Sequence, residues 1–216
     1  MKIATKQILG FFWIATLLYF SYLLLLLSLP YLEMKRDVDF LKTKQLIYHI
    51  SYWRWSFYAN VFSSIFVIVS GITQFLPRLI HNYKAVHRFF GTVYFSVLLL
   101  VAAPSGLIMS FYANGGWIAQ IGFVGLSLAW IFTTLTSLYW LKRKNFLKHA
   151  SWIARSYALT LAAISLRLYG YLFDVLKLEF HPVITYQTLA YLSWIPNLIV
   201  AEILIKRGLI QKLLKH

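Results

Sequence analysis

The chain has no cysteine and only six acidic residues. The first absence excludes disulfides, cysteine nucleophiles, iron–sulfur clusters and cysteine-type zinc sites, and it leaves the compartment open. The second leaves 21 Lys and Arg against 6 Asp and Glu, a net charge of +15. No Asp or Glu pair is placed for general acid–base work. The motifs of soluble enzymes are missing too: no GxGxxG, Walker loop, HExxH or GxSxG occurs. Charge as a whole is scarce, at 12% of residues, where a soluble domain carries about 25%.

Apolar residues make up the balance: 60% of the chain is hydrophobic, 19% is aromatic, and the mean hydropathy is +0.68. One soluble core cannot bury that much apolar surface, so the lipid bilayer is the expected solvent. Six apolar runs approach the ~20 residues that a spanning helix needs. They lie near residues 8–29, 55–76, 89–112, 117–141, 150–173 and 186–205. The first follows Lys2 and Lys6 like a signal peptide, but it exceeds the ~7–15 residues of a signal core and no small-x-small cleavage site follows. It is expected to be a retained helix. The fold class is therefore an all-α integral membrane bundle of six transmembrane helices in one domain, with residues 31–48 as its one sizeable external segment.

The basic residues form no single patch, which excludes a nucleic-acid partner. They alternate between two sets of loops. One set holds Lys2 and Lys6, then Arg78, Lys84 and Arg88, then Lys142, Arg143, Lys144 and Lys148, then Lys206, Arg207, Lys212 and Lys215; it contains no acid. The other holds Lys35, Arg36, Lys42, Lys44 and Lys177, offset by Glu33, Asp37, Asp39 and Glu179. The positive-inside rule puts the first set, with both termini, in the cytoplasm, and a bacterial inner membrane is the expected location. Trp13, Trp140 and Trp152 near one boundary and Trp53, Trp55 and Trp117 near the other read as aromatic belts. Pro104 and Pro196 fall inside spans, where each should kink its helix and free a carbonyl that needs a partner within the protein.

Polar residues recur at helical spacing. His149, Ser156, Thr160, Arg167 and Asp174 fall within roughly 20° of one line along the fifth span. His49, Ser56, Asn60, Gln74 and Arg78 share a sector of the second; His87, Tyr94 and Ser105 share one on the third; Gln120, Ser127 and Thr134 share one on the fourth. Lipid tails cannot hydrogen-bond, so these stripes should face one another or a wet cavity. For the hydroxyls and amides that means interhelical contacts of ~0.6 kcal/mol each. Arg155 and Glu202 lie at similar depth and are expected to pair. Arg167 is deeper, and an arginine at the centre of a span costs at least ~2.5 kcal/mol, so function is the default expectation for it.

His81 and His181 lie in loops and His216 is terminal, so solvated side chains are expected there. His87 and His149 begin the third and fifth spans at one depth. Two neutral imidazoles on facing helices with an apolar slot between them are what haem b requires. Gly91, one turn from His87, would let a flat ring approach, and Arg88 and Arg155 would neutralise the propionates. The first functional expectation is thus haem b binding and electron transfer near the cytoplasmic face, with a quinone as partner. The alternative is a non-redox carrier, or a protein that binds an anionic lipid or other anion in an Arg/His pocket built from Arg78, His87, Arg88, His149 and Arg155. A third reading is a proton or solute path along the stripes, with Arg167, Asp174 and Glu202 as charged members.

Several stretches together resemble a known family: "YHI" before the second span, "GITQFLPRL", "HRFFGTVY", "WIFTTLTSLYW", "KHASWIARSYALTLAAISLRLY" and "WIPNLIVAE". Their order is similar to that of bacterial multi-pass membrane proteins catalogued only as domain of unknown function 2306, over about residues 45–205. The resemblance implies that His49, Gln74, Arg78, His87, Arg88, Gly91, Tyr94, His149, Arg155, Ser156, Arg167, Asn197 and Glu202 are motif positions, and it implies no established activity. "HRFFG" also resembles the HR-x-x-G of ferric-reductase-like haem proteins. In those a further histidine follows on the same span; the third span here has none, so no haem ligand carries over.

Overall fold

A computed structural model describes residues 2–178 and 180–215, with side chains described for Phe12 and from Ala15 onward. Lys2, Lys6 and Trp13 as side chains, and Glu179 and His216 altogether, lie outside the described residues. Every described element is helical. Six stretches are long and apolar enough to cross a bilayer: Ala15–Glu33, Ser51–Thr73, Lys84–Ser110, Gly116–Lys142, Phe146–Val175 and Pro182–Lys206. A helix satisfies its own backbone in lipid, which is why apolar runs of this length fold this way. The second span is the central one, with 56% of its apolar window buried against 22–33% in the others. It packs on the first, third and fifth spans, while the fourth packs on the third, fifth and sixth.

Most boundaries extend one to five residues past the apolar runs, but the third span stops two residues short, at Ser110, and the second stops three short, at Thr73. The cause is Pro77, which opens a separate short helix, Pro77–His81. The residue before a proline is driven out of the helical region, and Leu76 is extended at φ −86°, ψ 111°. The stripe on this span is shortened accordingly. Ser56 and Gln74 are buried and Asn60 is half-buried, whereas His49 and Arg78, beyond the two helix ends, are exposed rather than on the buried face. His81 is not free in solvent; its Nε2 lies 3.2 Å from the Leu213 carbonyl of the helix Leu209–Lys215.

Three spans are interrupted. The third runs as Lys84–Val97, a wide π turn over Leu98–Ala102, then Ala103–Ser110 with Pro104 in its first turn. The sixth breaks at Ser193 and Trp194, and Pro196 sits in the first turn of Ile195–Lys206. A proline there gives up an N–H that would be unpaired anyway. The carbonyls at these breaks do find partners inside the protein. The Asn60 side chain donates to the Ala102 carbonyl at 2.8 Å, and Asn197 donates to the Ser193 carbonyl at 3.1 Å and to Ser165 Oγ at 2.9 Å. The fifth span breaks at Leu161, between Phe146–Thr160 and Ala162–Val175, with no proline to announce it.

The segment 31–48 folds back onto the bundle through two 3-10 turns, Leu29–Glu33 and Asp39–Lys44. Leu41 is fully buried, and Tyr31, Phe40 and Trp53 all pack against Phe57 with ring centroids 5.0–5.9 Å apart. Trp53 is therefore a core residue, 1% exposed, and not part of an aromatic belt, whereas Trp55 and Trp117 remain exposed as belt residues should.

Candidate functional site

Beneath this cap lies a cavity of about 440 Å³, walled by the second to sixth spans and roofed by Tyr31, Phe40 and Lys44. That volume is in the range of small-molecule sites. Its walls are largely aromatic and aliphatic, and among the described residues no Asp or Glu lines it. Two cations do: Lys44 at the cap and Arg167 on the fifth span.

Arg167 lines this cavity from the fifth span, and part of its side chain is exposed. Its Nη1 donates to the Ala163 carbonyl at 2.9 Å, one turn back on its own helix. Tyr31 of the cap lines the same cavity. Among the described residues no carboxylate lies within ion-pair distance of Arg167. Asp174 shares its helical segment but sits two turns away and points to the exterior, beyond the reach of a guanidinium.

Lys44 is buried, 4% exposed, and among the described residues it too has no carboxylate within ion-pair distance. Its Nζ donates to the Tyr112 carbonyl and, at 2.5 Å, to Asn114 Oδ1, while Asn114 Nδ2 donates to Thr43 Oγ1 at 3.0 Å. This ties the cap to the turn between the third and fourth spans. Burial pushes the Lys44 ammonium down to about 8 from its ordinary 10.5. The folded state therefore binds this proton less tightly than the unfolded state. The penalty is fully present below about pH 8 and is relieved as pH rises toward 10.5. Thermal midpoints should rise between pH 8 and 10 in the wild type relative to Lys44→Met; a wild-type slope equal to or below that of the variant would contradict the burial of a charged amine.

Three buried side-chain atoms have no hydrogen-bond partner within the described protein: Trp53 Nε1, Ser193 Oγ and His87 Nδ1. Trp53 and Ser193 both line the cavity. Such groups cost ~1–3 kcal/mol each and call for an explanation. At the cavity floor Trp130 Nε1 donates to Thr160 Oγ1 at 3.0 Å. Thr160 opens a fully internal hydroxyl cluster. Tyr94 Oη lies 3.0 Å from Thr160 Oγ1 and 2.7 Å from Ser156 Oγ, which is 2.7 Å from Thr134 Oγ1. Tyr94 and Ser156, expected on buried faces, thus join the third, fourth and fifth spans.

On the opposite side, where the chain ends lie, the residues serve different ends. Arg155 and Glu202 form a two-pronged ion pair, Nε to Oε1 at 2.5 Å and Nη2 to Oε2 at 2.9 Å, with the guanidinium 4.5 Å over the Trp152 ring. Arg78 and Arg88 are exposed. His149 Nδ1 lies 2.9 Å from Ser137 Oγ and 3.0 Å from the Ser137 carbonyl. The open face of Gly91 is taken by Gln74, whose Oε1 lies 3.0 Å from where a Cβ would stand, and Gln74 also donates to the His87 carbonyl at 3.4 Å. Phe95 packs 6.2 Å from the His149 ring. Among the described residues no group of three or more His, Asp or Glu is placed to hold a metal ion.

Lys44, Trp53 and Ser193 were not among the residues that periodicity singled out. Lys44 reads as one more loop cation and Trp53 as a belt residue until the cap folds over them; the neighbouring Pro196 was the one hint that the backbone beside Ser193 is irregular.

Six apolar spans, three of them broken, with a largely apolar cavity among the second to sixth, define a multi-pass membrane protein. Residues 57–205 match the family of predicted membrane proteins catalogued as domain of unknown function 2306, and the chain belongs to that family. The matched stretch includes Asn60, Thr160, Arg167 and Ser193 of the cavity; His49, Trp53 and the cap lie before it. No curated protein and no solved structure matches the chain.

Proposed function

We propose that this protein is a non-redox binding protein or carrier for an amphipathic organic anion, held in the cavity with its head on Arg167. The observation that carries this reading is a guanidinium that, among the described residues, has most of its donors unspent, in a largely apolar cavity that no described acid lines. Trp53 and Ser193, each with an unpaired polar atom, add donors to the same walls. Apolar walls would take the hydrocarbon part of the ligand, and a cation in low dielectric binds an anion more strongly than it would in water. If the acid-free basic loops lie in the cytoplasm, the cap and the cavity beneath it face the outside. The chain-end side supports an anion site less well, because Glu202 already neutralises Arg155. It also gives less support to haem b between His87 and His149, since Gln74 and Phe95 occupy the ground a ring would need.

The test is octanoate binding to protein in lipid nanodiscs, with protein-free nanodiscs subtracting partition into lipid. Octanoate should bind the wild type, octanol should bind far less, and Arg167→Gln should weaken octanoate by roughly 10- to 100-fold, the worth of a hydrogen bond to a charged group. Equal binding of octanoate to wild type and Arg167→Gln, with both folded, would remove the reading.

A further inference from the structure

The cavity holds two cations, not one, and they are satisfied differently. Arg167 spends one donor on a carbonyl of its own helix. Lys44 spends two of its three N–H donors on neutral oxygens, the Tyr112 carbonyl and Asn114 Oδ1, and packs 5.5 Å from the Phe40 ring. Among the described residues neither has a carboxylate within ion-pair distance, and none of the described acids lines the space they share. Burying an uncompensated charge is costly, and a structural staple between the cap and the turn at 112–114 needs only a neutral donor. A lysine there leaves the cavity with one more positive charge than a single anionic head neutralises.

We propose that the ligand of this cavity is a dianion, with Lys44 the specificity residue that reads its second negative charge while Arg167 holds the first. This rests on the anion-binding reading above. The chemistry required is two negative charges on an amphiphile small enough for about 440 Å³. They can be carried on one head, as in a phosphomonoester, or on two ends, as in a dicarboxylate. Lys44 supplies its third N–H, or releases the Tyr112 carbonyl, to meet the second charge. The ammonium is largely protonated at pH 7, so the charge it reads is available there.

The experiment compares octanoate, octyl phosphate and octanedioate at pH 7 in the same nanodiscs. At this pH the phosphomonoester carries about −1.5 to −2. At least one of the two dianions should bind roughly tenfold or more tighter than octanoate, and which one does identifies whether the charges sit together or apart. Lys44→Met should weaken the preferred dianion by roughly tenfold more than it weakens octanoate, so that the preference is erased. Asn114→Asp is the second variant. It changes one side-chain group and places a carboxylate on the ammonium at the 2.5 Å position now held by an amide oxygen, so the preference should vanish without loss of the lysine. Equal affinity for all three ligands, with octanoate still dependent on Arg167, overturns the dianion assignment and leaves anion binding intact. A preference that survives both variants overturns the role of Lys44. Failure of all three ligands to bind the wild type removes the anion reading and this one with it.

Discussion

Gly71→Ala is expected to destabilise the bundle by about 1–3 kcal/mol, the range for forcing a methyl group into a filled core. Glycine to alanine within a helix ordinarily stabilises it by up to about 1 kcal/mol, so the sign alone is informative. A Cβ at this position would lie 2.4 Å from two ring carbons of Tyr157 and 3.0 Å from Cε2 of Tyr94. Neither ring is free to retreat. Tyr157 is wedged against Phe75 at 5.4 Å between centroids, and its hydroxyl donates to the Ile68 carbonyl at 3.4 Å. Tyr94 is wholly buried and held by Ser156 and Thr160. The substitution therefore pushes the second span away from the third and fifth at the level of the hydroxyl cluster. The readout is the fraction of monodisperse protein that survives heating in detergent. Tyr157→Leu should cost stability alone but recover part of the loss when combined with Gly71→Ala, because residues in contact are not additive. A Gly71→Ala protein that melts at or above the wild type would show that the second and fifth spans do not approach this closely.

What could be read from the sequence divides along a physical line. Periodicity placed Tyr94 and Ser156 inward because each sits within an uninterrupted helix, where 3.6 residues per turn holds, and Gln74 because it caps the helix ending at Thr73 with helical backbone angles. The same rule failed at His49 and Arg78, which lie past helix ends that Pro77 and the start at Ser51 impose. Depth paired Arg155 with Glu202, because two charges at one level in an apolar medium have few other options. The break at Leu161 was not legible, since no proline or glycine marks it. The cap was illegible for a different reason. Residues 31–48 carry half of the acids of the chain and read as an external segment, and only tertiary contact of Phe40 and Leu41 with Phe57 and its neighbours folds them over the cavity. That one event converts Lys44 from a loop charge to a buried one and Trp53 from a belt residue to a wall. Arg167 stood out as a deep charge, but only the structure shows that it lines a cavity with Lys44 and that no described acid lines it with them.

Arg155→Met is expected to cost about 1–3 kcal/mol, and Glu202→Met a similar amount, whereas the double variant should lie close to the wild type. Removing one member of a fully buried pair costs about 3–5 kcal/mol, because the other is left charged and alone. Here the side chains are 20% and 37% exposed, so water screens part of that loss. Arg155→Met leaves the Glu202 carboxylate facing the fifth span with only Lys206 one turn away, and it also strips the guanidinium from the Trp152 ring. Glu202→Met leaves a guanidinium that can still lean on that ring, so it should be the milder single change. With both charges gone, two methionines of adaptable shape fill the same contact, and the desolvation of both ions is removed together with their attraction. A double-mutant cycle on thermal unfolding measures the coupling. Additive single losses would mean that the pair contributes no more than two independent charges. The pair clamps the fifth span to the sixth on the side of the chain ends, at the other end of the bundle from the cap. Octanoate affinity should therefore be unchanged in the double variant, while any loss of it would place the anion beside Arg155 rather than beneath the cap at Arg167.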